Sequence, residues 1–120
     1  MRSIKRRPNL GTLPLTLYWQ TTQPLAQNYS VFVQLIDLKD LHKAGQRDGQ
    51  PDCDRAPTQF WLPGDLIADH YTLPVESNAL AGEYTLLVGM YMGDERLAVH
   101  RANGEIQGNQ VELTKVRVIQ

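Results

Sequence analysis

A single cysteine, Cys53, stands among the 120 residues, so the chain can close no internal disulfide. No zinc set is expected either: nothing near Cys53 has ligand spacing, and His42, His70 and His100 are too scattered to act together. No apolar run is long enough to span a bilayer, and residues 1–11 start positively without the apolar stretch of a secretory signal. Read alone, the chain is expected to be soluble and unexported, with no direct membrane insertion. A basic field is lacking too. Arg2, Lys5, Arg6 and Arg7 crowd the first seven residues, while the remainder is mildly acidic and the formal net charge is -1. That body offers nothing to a phosphate backbone, so nucleic acid is not an expected partner. The nucleophile-elbow, phosphate-loop and zinc-protease patterns are missing, and Ser3, Ser30 and Ser77 have no base nearby in sequence. Neither an enzymatic activity nor a cofactor is expected.

What the chain does have is the length and apolar content of one globular domain, 120 residues at 42% hydrophobic. Residues 13–20 alternate, with Leu13, Leu15, Leu17 and Trp19 on one side and Pro14, Thr16, Tyr18 and Gln20 on the other, the period of a half-buried strand. Residues 29–37 are a β-branched and aromatic run that reads as a more central strand. Residues 38–57 carry charges, Gly45, Asp48-Gly49, Pro51 and Pro57 and are expected to form a long loop, with at most one helical turn over 38–43. Pro63-Gly64 marks a turn before a strand over 66–73, in which Ile67, Asp69, Tyr71 and Leu73 share a face. Residues 83–92 form the clearest strand, with Tyr84, Leu86, Val88 and Met90 inward. Gly93-Asp94 turns it back into residues 96–100. A second turn region is expected over 102–108, and the parity change between Val111/Leu113 and Val116/Val118 implies a β-bulge in the last strand.

About seven short strands with turn signals between them imply an all-β fold, an antiparallel two-sheet sandwich of immunoglobulin-like type. The domain is expected to cover residues 12–119, behind a basic, frayed segment over 1–11.

The candidate ligand-binding residues are Phe60, Trp61, Tyr91, Asp69 and Arg96. Aromatic faces beside polar edges suit the mixed surface of a sugar ring, and Asp69 is a carboxylate on an inward parity that must be paired, with Arg96 or loop amides as partners. The other reading of the aromatics is ordinary core. Asp48, Asp52 and Asp54 are oxygen donors within the long loop and weak calcium candidates. They match no EF-hand spacing, and interleaved Lys and Arg side chains can neutralise them. Tyr84, two residues after Gly82, has the placement of a tyrosine corner.

Several segments in order, LTLYWQ at 15–20, YSVFVQLID at 29–37, QRDGQPD at 46–52, PTQFWLPGDLIAD at 57–69 and GEYTLLVGMY at 82–91, together with Arg96-Leu97, carry a family resemblance. The chain resembles the soluble C-terminal β-sandwich domain of bacterial multi-spanning membrane proteins of the dolichyl-phosphate-mannose-type glycosyltransferase class. The resemblance covers about residues 12–119 and departs at the start, where the family has a further strand before LPLTLYW. It implies a non-catalytic accessory domain on the extracytoplasmic side of a bacterial membrane. Two roles follow as expectations: carbohydrate recognition linked to cell-envelope glycosylation, or a structural or protein-interaction domain that pairs a strand edge or forms a homodimer. The expected partners are correspondingly a glycan or another polypeptide chain.

Overall fold

The computed structural model describes residues 2–5, 11–100 and 108–119. Eight strands follow one another: β1 (Arg2–Lys5), β2 (Thr12–Trp19), β3 (Ser30–Ile36), β4 (Lys43–Gly49), β5 (Ile67–Pro74), β6 (Gly82–Met92), β7 (Glu95–Leu97) and β8 (Val111–Ile119). They form an all-β, two-sheet sandwich. The larger sheet has the order β1-β8-β6-β3-β4, with β7 also on β6, and β2 pairs with β5 in the smaller one. All pairings are antiparallel except β1 with β8. With β2 and β5 facing a sheet built on β8, β6 and β3, the strand order is immunoglobulin-like, in an open sandwich whose smaller sheet has two strands.

The alternation read from the sequence sets the core. Leu13 and Leu17 of β2 and Tyr71 and Leu73 of β5 pack against Val31, Val33 and Leu35 of β3 and Tyr84, Leu86, Val88 and Met90 of β6. The β6 ladder with β8 shifts register between Leu86 and Leu87, so the bulge falls at Leu113 and returns Val116 and Val118 to the core side. The Tyr84 hydroxyl donates to the Leu80 carbonyl at 2.7 Å, which completes the tyrosine corner.

Three expectations need correction or a limit. The basic segment over 1–11 is not frayed throughout, because Arg2–Lys5 pair in parallel with Val116–Ile119. The ladder, which any side chains can join, holds a stretch whose charge density concealed it. The segment over 38–57 is not one loop either. Lys43–Gly49 form β4 against β3, preceded by a turn in which the Asp37 N–H reaches the His42 carbonyl at 2.8 Å. β4 carries no apolar alternation because its inward positions Gly45, Arg47 and Gly49 lie at the sheet edge. There Gly45 approaches β5 so closely that a Cβ would stand 2.5 Å from the Pro74 carbonyl oxygen. The turn expected over 102–108 falls mainly on residues 101–107, outside the described residues. Among the described residues no helix is long and apolar enough to cross a membrane.

Candidate functional site

Strand order decides which candidate residues meet. On the outer face of the larger sheet, Asp48 of β4 stands opposite Phe32 of β3, which stands opposite Gly89 of β6. Gly89 is required here: the Phe32 ring lies across it, and a Cβ at this position would be 2.3 Å from Phe32 Cζ. The next row holds Tyr91, paired with Ser30 on one side and Arg96 of β7 on the other. The hairpin Gly93-Asp94, with Gly93 at a φ of 58°, brings Arg96 back beside Tyr91.

These side chains interlock. The Arg96 guanidinium sits over the Phe32 ring, 4.7 Å from its centroid, and donates to Gln110 Oε1 at 3.3 Å. The Tyr91 hydroxyl donates to Asp48 Oδ2 at 2.7 Å, and Gln46 Nε2 donates to Asp48 Oδ1 at 2.9 Å. Lys43 Nζ in turn reaches Gln46 Oε1 at 3.0 Å. The bond to Asp48, then burial, raises the Tyr91 phenol above its ordinary pKa of 10.0, since both favour the neutral hydroxyl. Together Phe32, Gln34, Gln46, Asp48, Tyr91, Gly93, Asp94 and Arg96 surround an open concavity of about 400 Å³. Among the described residues the side chains of Gln34 and Asp94 make no hydrogen bond within the protein, and the Asp48 oxygens each retain acceptor capacity. The concavity therefore offers donors and acceptors side by side, with two carboxylates and one guanidinium.

The other candidates lie elsewhere, and the five do not form one site. Asp69 is fully buried in β5 and does not meet Arg96, which is on the opposite face of the larger sheet. Its Oδ2 accepts from Trp19 Nε1 at 3.0 Å and its Oδ1 from the Asp52 N–H at 2.7 Å. Of the two partners foreseen, the loop amide is the one used. The neighbouring Tyr71 phenol is held far above its usual range, first by burial and then by the Asp69 carboxylate. Its hydroxyl makes no hydrogen bond of good geometry. Trp61 is a core residue, with Nε1 donating to the Ala56 carbonyl at 2.9 Å, whereas Phe60 beside it is 71% exposed.

Asp69 and Trp61 thus pin the two ends of one feature. Asp52, Cys53 and Asp54 are three consecutive non-glycine residues in the left-handed region, at φ of 53°, 54° and 67°. Asp48, Asp52 and Asp54 do not converge as a calcium site. Asp52 Oδ1 lies 3.5 Å from Arg55 and 3.6 Å from His70 Nδ1, Asp54 Oδ1 caps the Gln50 N–H, and Asp48 is in β4. Among the described residues no three His, Cys, Asp or Glu side chains are placed to hold a metal ion.

The residues missed from sequence are Phe32, Gln34, Gln46 and Asp94. A usable signal existed for the first two: positions 32 and 34 share a parity opposite to that of Val31, Val33 and Leu35. Comparison with protein-family models, with curated proteins and with solved structures finds nothing that matches this chain.

Proposed function

We propose that this chain is a non-catalytic accessory domain that recognises neutral carbohydrate in the concavity on the outer face of its larger sheet. The observation that carries the reading is the hydrogen-bonded row Tyr91–Asp48–Gln46 beside the Arg96–Phe32 stack. A sugar presents adjacent hydroxyls that both donate and accept. The row presents acceptors at Asp48 and Asp94 and donors at Arg96, within about 400 Å³, room for one or two pyranose rings. An anion would meet two carboxylates and a cation would meet Arg96, so a neutral polyol fits best. The resemblance to accessory domains of bacterial glycosyltransferase-like membrane proteins supports the same role, at the extracytoplasmic surface.

The test is calorimetric titration with neutral and acidic oligosaccharides of bacterial envelopes. Neutral glycans are expected to bind weakly, and Asp48→Ala and Arg96→Ala to abolish the heat while preserving the melting temperature within a few degrees. Binding that survives both substitutions would overturn the assignment.

A further inference from the structure

The concavity on the larger sheet is bounded differently in its two directions. Along the strands, the Gly93-Asp94 turn that joins β6 to β7 stands at one end of it. Across the strands it runs from one sheet margin to another: among the described residues β4 has only β3 as a strand neighbour, and β7 only β6.

Its polar groups are spread along this transverse direction, one strand after the next. Gln46 and Asp48 stand on β4, Gln34 on β3, Tyr91 on β6 and Arg96 on β7. The registers hold them in adjacent rows, Gln46 opposite Gln34 and Tyr91 opposite Arg96. Neighbouring strands are about 4.8 Å apart, so the three intervals from β4 to β7 cover about 14 Å. Between these groups the floor is low, because Gly89 has no side chain and the Phe32 ring lies across it. The links that fix the polar groups also cross strands. Tyr91 reaches over β3 to Asp48 at 2.7 Å, and Arg96, above Phe32, continues to Gln110 at 3.3 Å. The spacing of the groups is therefore set before any ligand arrives.

We infer, on the sugar reading above, that the concavity takes an internal stretch of about three residues from a linear neutral glycan lying across the strands. One hexopyranose repeat of an extended chain is about as long as one strand spacing, so a transverse chain meets a fresh polar group with every ring. A chain laid along the strands would instead run into the Gly93-Asp94 turn. The volume of about 400 Å³ holds the central part of the stretch, and the end rings rest on the margins, at Gln46 on one side and at Arg96 and Asp94 on the other. A site for a chain terminus needs a wall against which the last ring stops. Among the described residues the strand order supplies none in the transverse direction.

Calorimetric titration of the full chain with β-1,4-linked gluco- and manno-oligosaccharides, from the monosaccharide to the hexasaccharide, tests the inference. Affinity is expected to rise about fivefold with each ring up to the third, the worth of one net hydrogen bond per ring, and to change by less than about twofold beyond it. Gln46→Ala at one margin and Asp94→Ala at the other, both exposed positions, should each move the plateau from three rings to two with circular dichroism unchanged. Thr72→Ala, exposed on the smaller sheet, should leave the series as in the parent. A monosaccharide bound as tightly as the trisaccharide, a rise that continues through the sixth ring, or margin variants that weaken every length equally would overturn the inference and leave the sugar reading standing. Silence at every length would overturn both.

Discussion

Replacing Asp69 should destabilise the fold more than any other polar substitution discussed, by an amount that follows from its two bonds. The carboxylate is fully buried and accepts the Trp19 indole N–H at 3.0 Å and the Asp52 amide at 2.7 Å. Hydrogen bonds to a charged acceptor contribute roughly 1.5–3 kcal/mol each, and a buried donor left without a partner costs about 1–3 kcal/mol. The Asp52–Asp54 run is held in a conformation that costs about 1–2 kcal/mol per residue, so freeing it returns part of the loss. Asp69→Ala is therefore expected to cost about 3–5 kcal/mol, and Asp69→Asn about 2–3 kcal/mol, since one oxygen still accepts while the amide N–H₂ faces the second donor. Urea unfolding followed by tryptophan fluorescence measures both, with the denaturant slope checked for constancy. A double-mutant cycle with Trp19→Phe should return a coupling of at least about 1 kcal/mol. Hydrogen exchange at the Asp52 amide should accelerate in Asp69→Asn. An Asp69→Asn protein within about 1 kcal/mol of the parent would refute the reasoning, because a buried carboxylate holding two donors cannot be so cheaply replaced.

Gly89→Ala should place a methyl into the Phe32 ring and, 2.9 Å away, the Asn109 carbonyl oxygen; a loss of about 1–3 kcal/mol in urea unfolding is expected, together with weakened sugar binding as Phe32 and Arg96 shift. Tyr84→Phe, which removes the bond to the Leu80 carbonyl, should cost about 1 kcal/mol by the same measurement. Stability should fall as pH rises above about 10. The Tyr71 phenol is raised in the folded state, so the folded protein holds a proton that the unfolded chain releases above the ordinary value of 10.0; the contribution is complete below that pH and declines above it. Tyr71→Phe, losing a hydroxyl without a well-formed bond, should be nearly neutral at pH 7 and should flatten the alkaline decline seen in urea midpoints between pH 8 and 11.

The strands that were legible are those that bury apolar side chains. β2 and β5 alternate because one side of each meets the core, β6 reads as a continuous apolar run because Tyr84–Met90 are buried on both faces, and the bulge in β8 showed itself as a parity change. β4 was not legible because Gly45, Arg47 and Gly49 occupy its inward positions. It is held by backbone pairing with β3 and by a close approach to β5, neither of which leaves an apolar period. β1 was hidden for a similar reason: pairing with β8 depends on an available edge, not on the composition of Arg2–Lys5.

The candidate site was half legible. Tyr91 and Arg96 are joined by a hairpin whose Gly93-Asp94 turn can be read directly, whereas Asp48 reaches Tyr91 only because β3 lies between β4 and β6. Trp61 and Asp69 were read as site residues from their chemistry. Each proves to be an anchor for the residues between β4 and β5, a role set by burial that sequence spacing does not encode.

The central claim is that the polar row on the larger sheet binds neutral sugar, and a proton–nitrogen correlation titration of labelled protein tests it most directly. Neutral hexopyranose oligosaccharides should shift the amides and side-chain signals of Gln34, Gln46, Asp48, Tyr91 and Arg96, and Asp48→Ala should erase those shifts. A spectrum unchanged at these positions up to tens of millimolar sugar, or shifts confined to Phe60 and its neighbours, would contradict it.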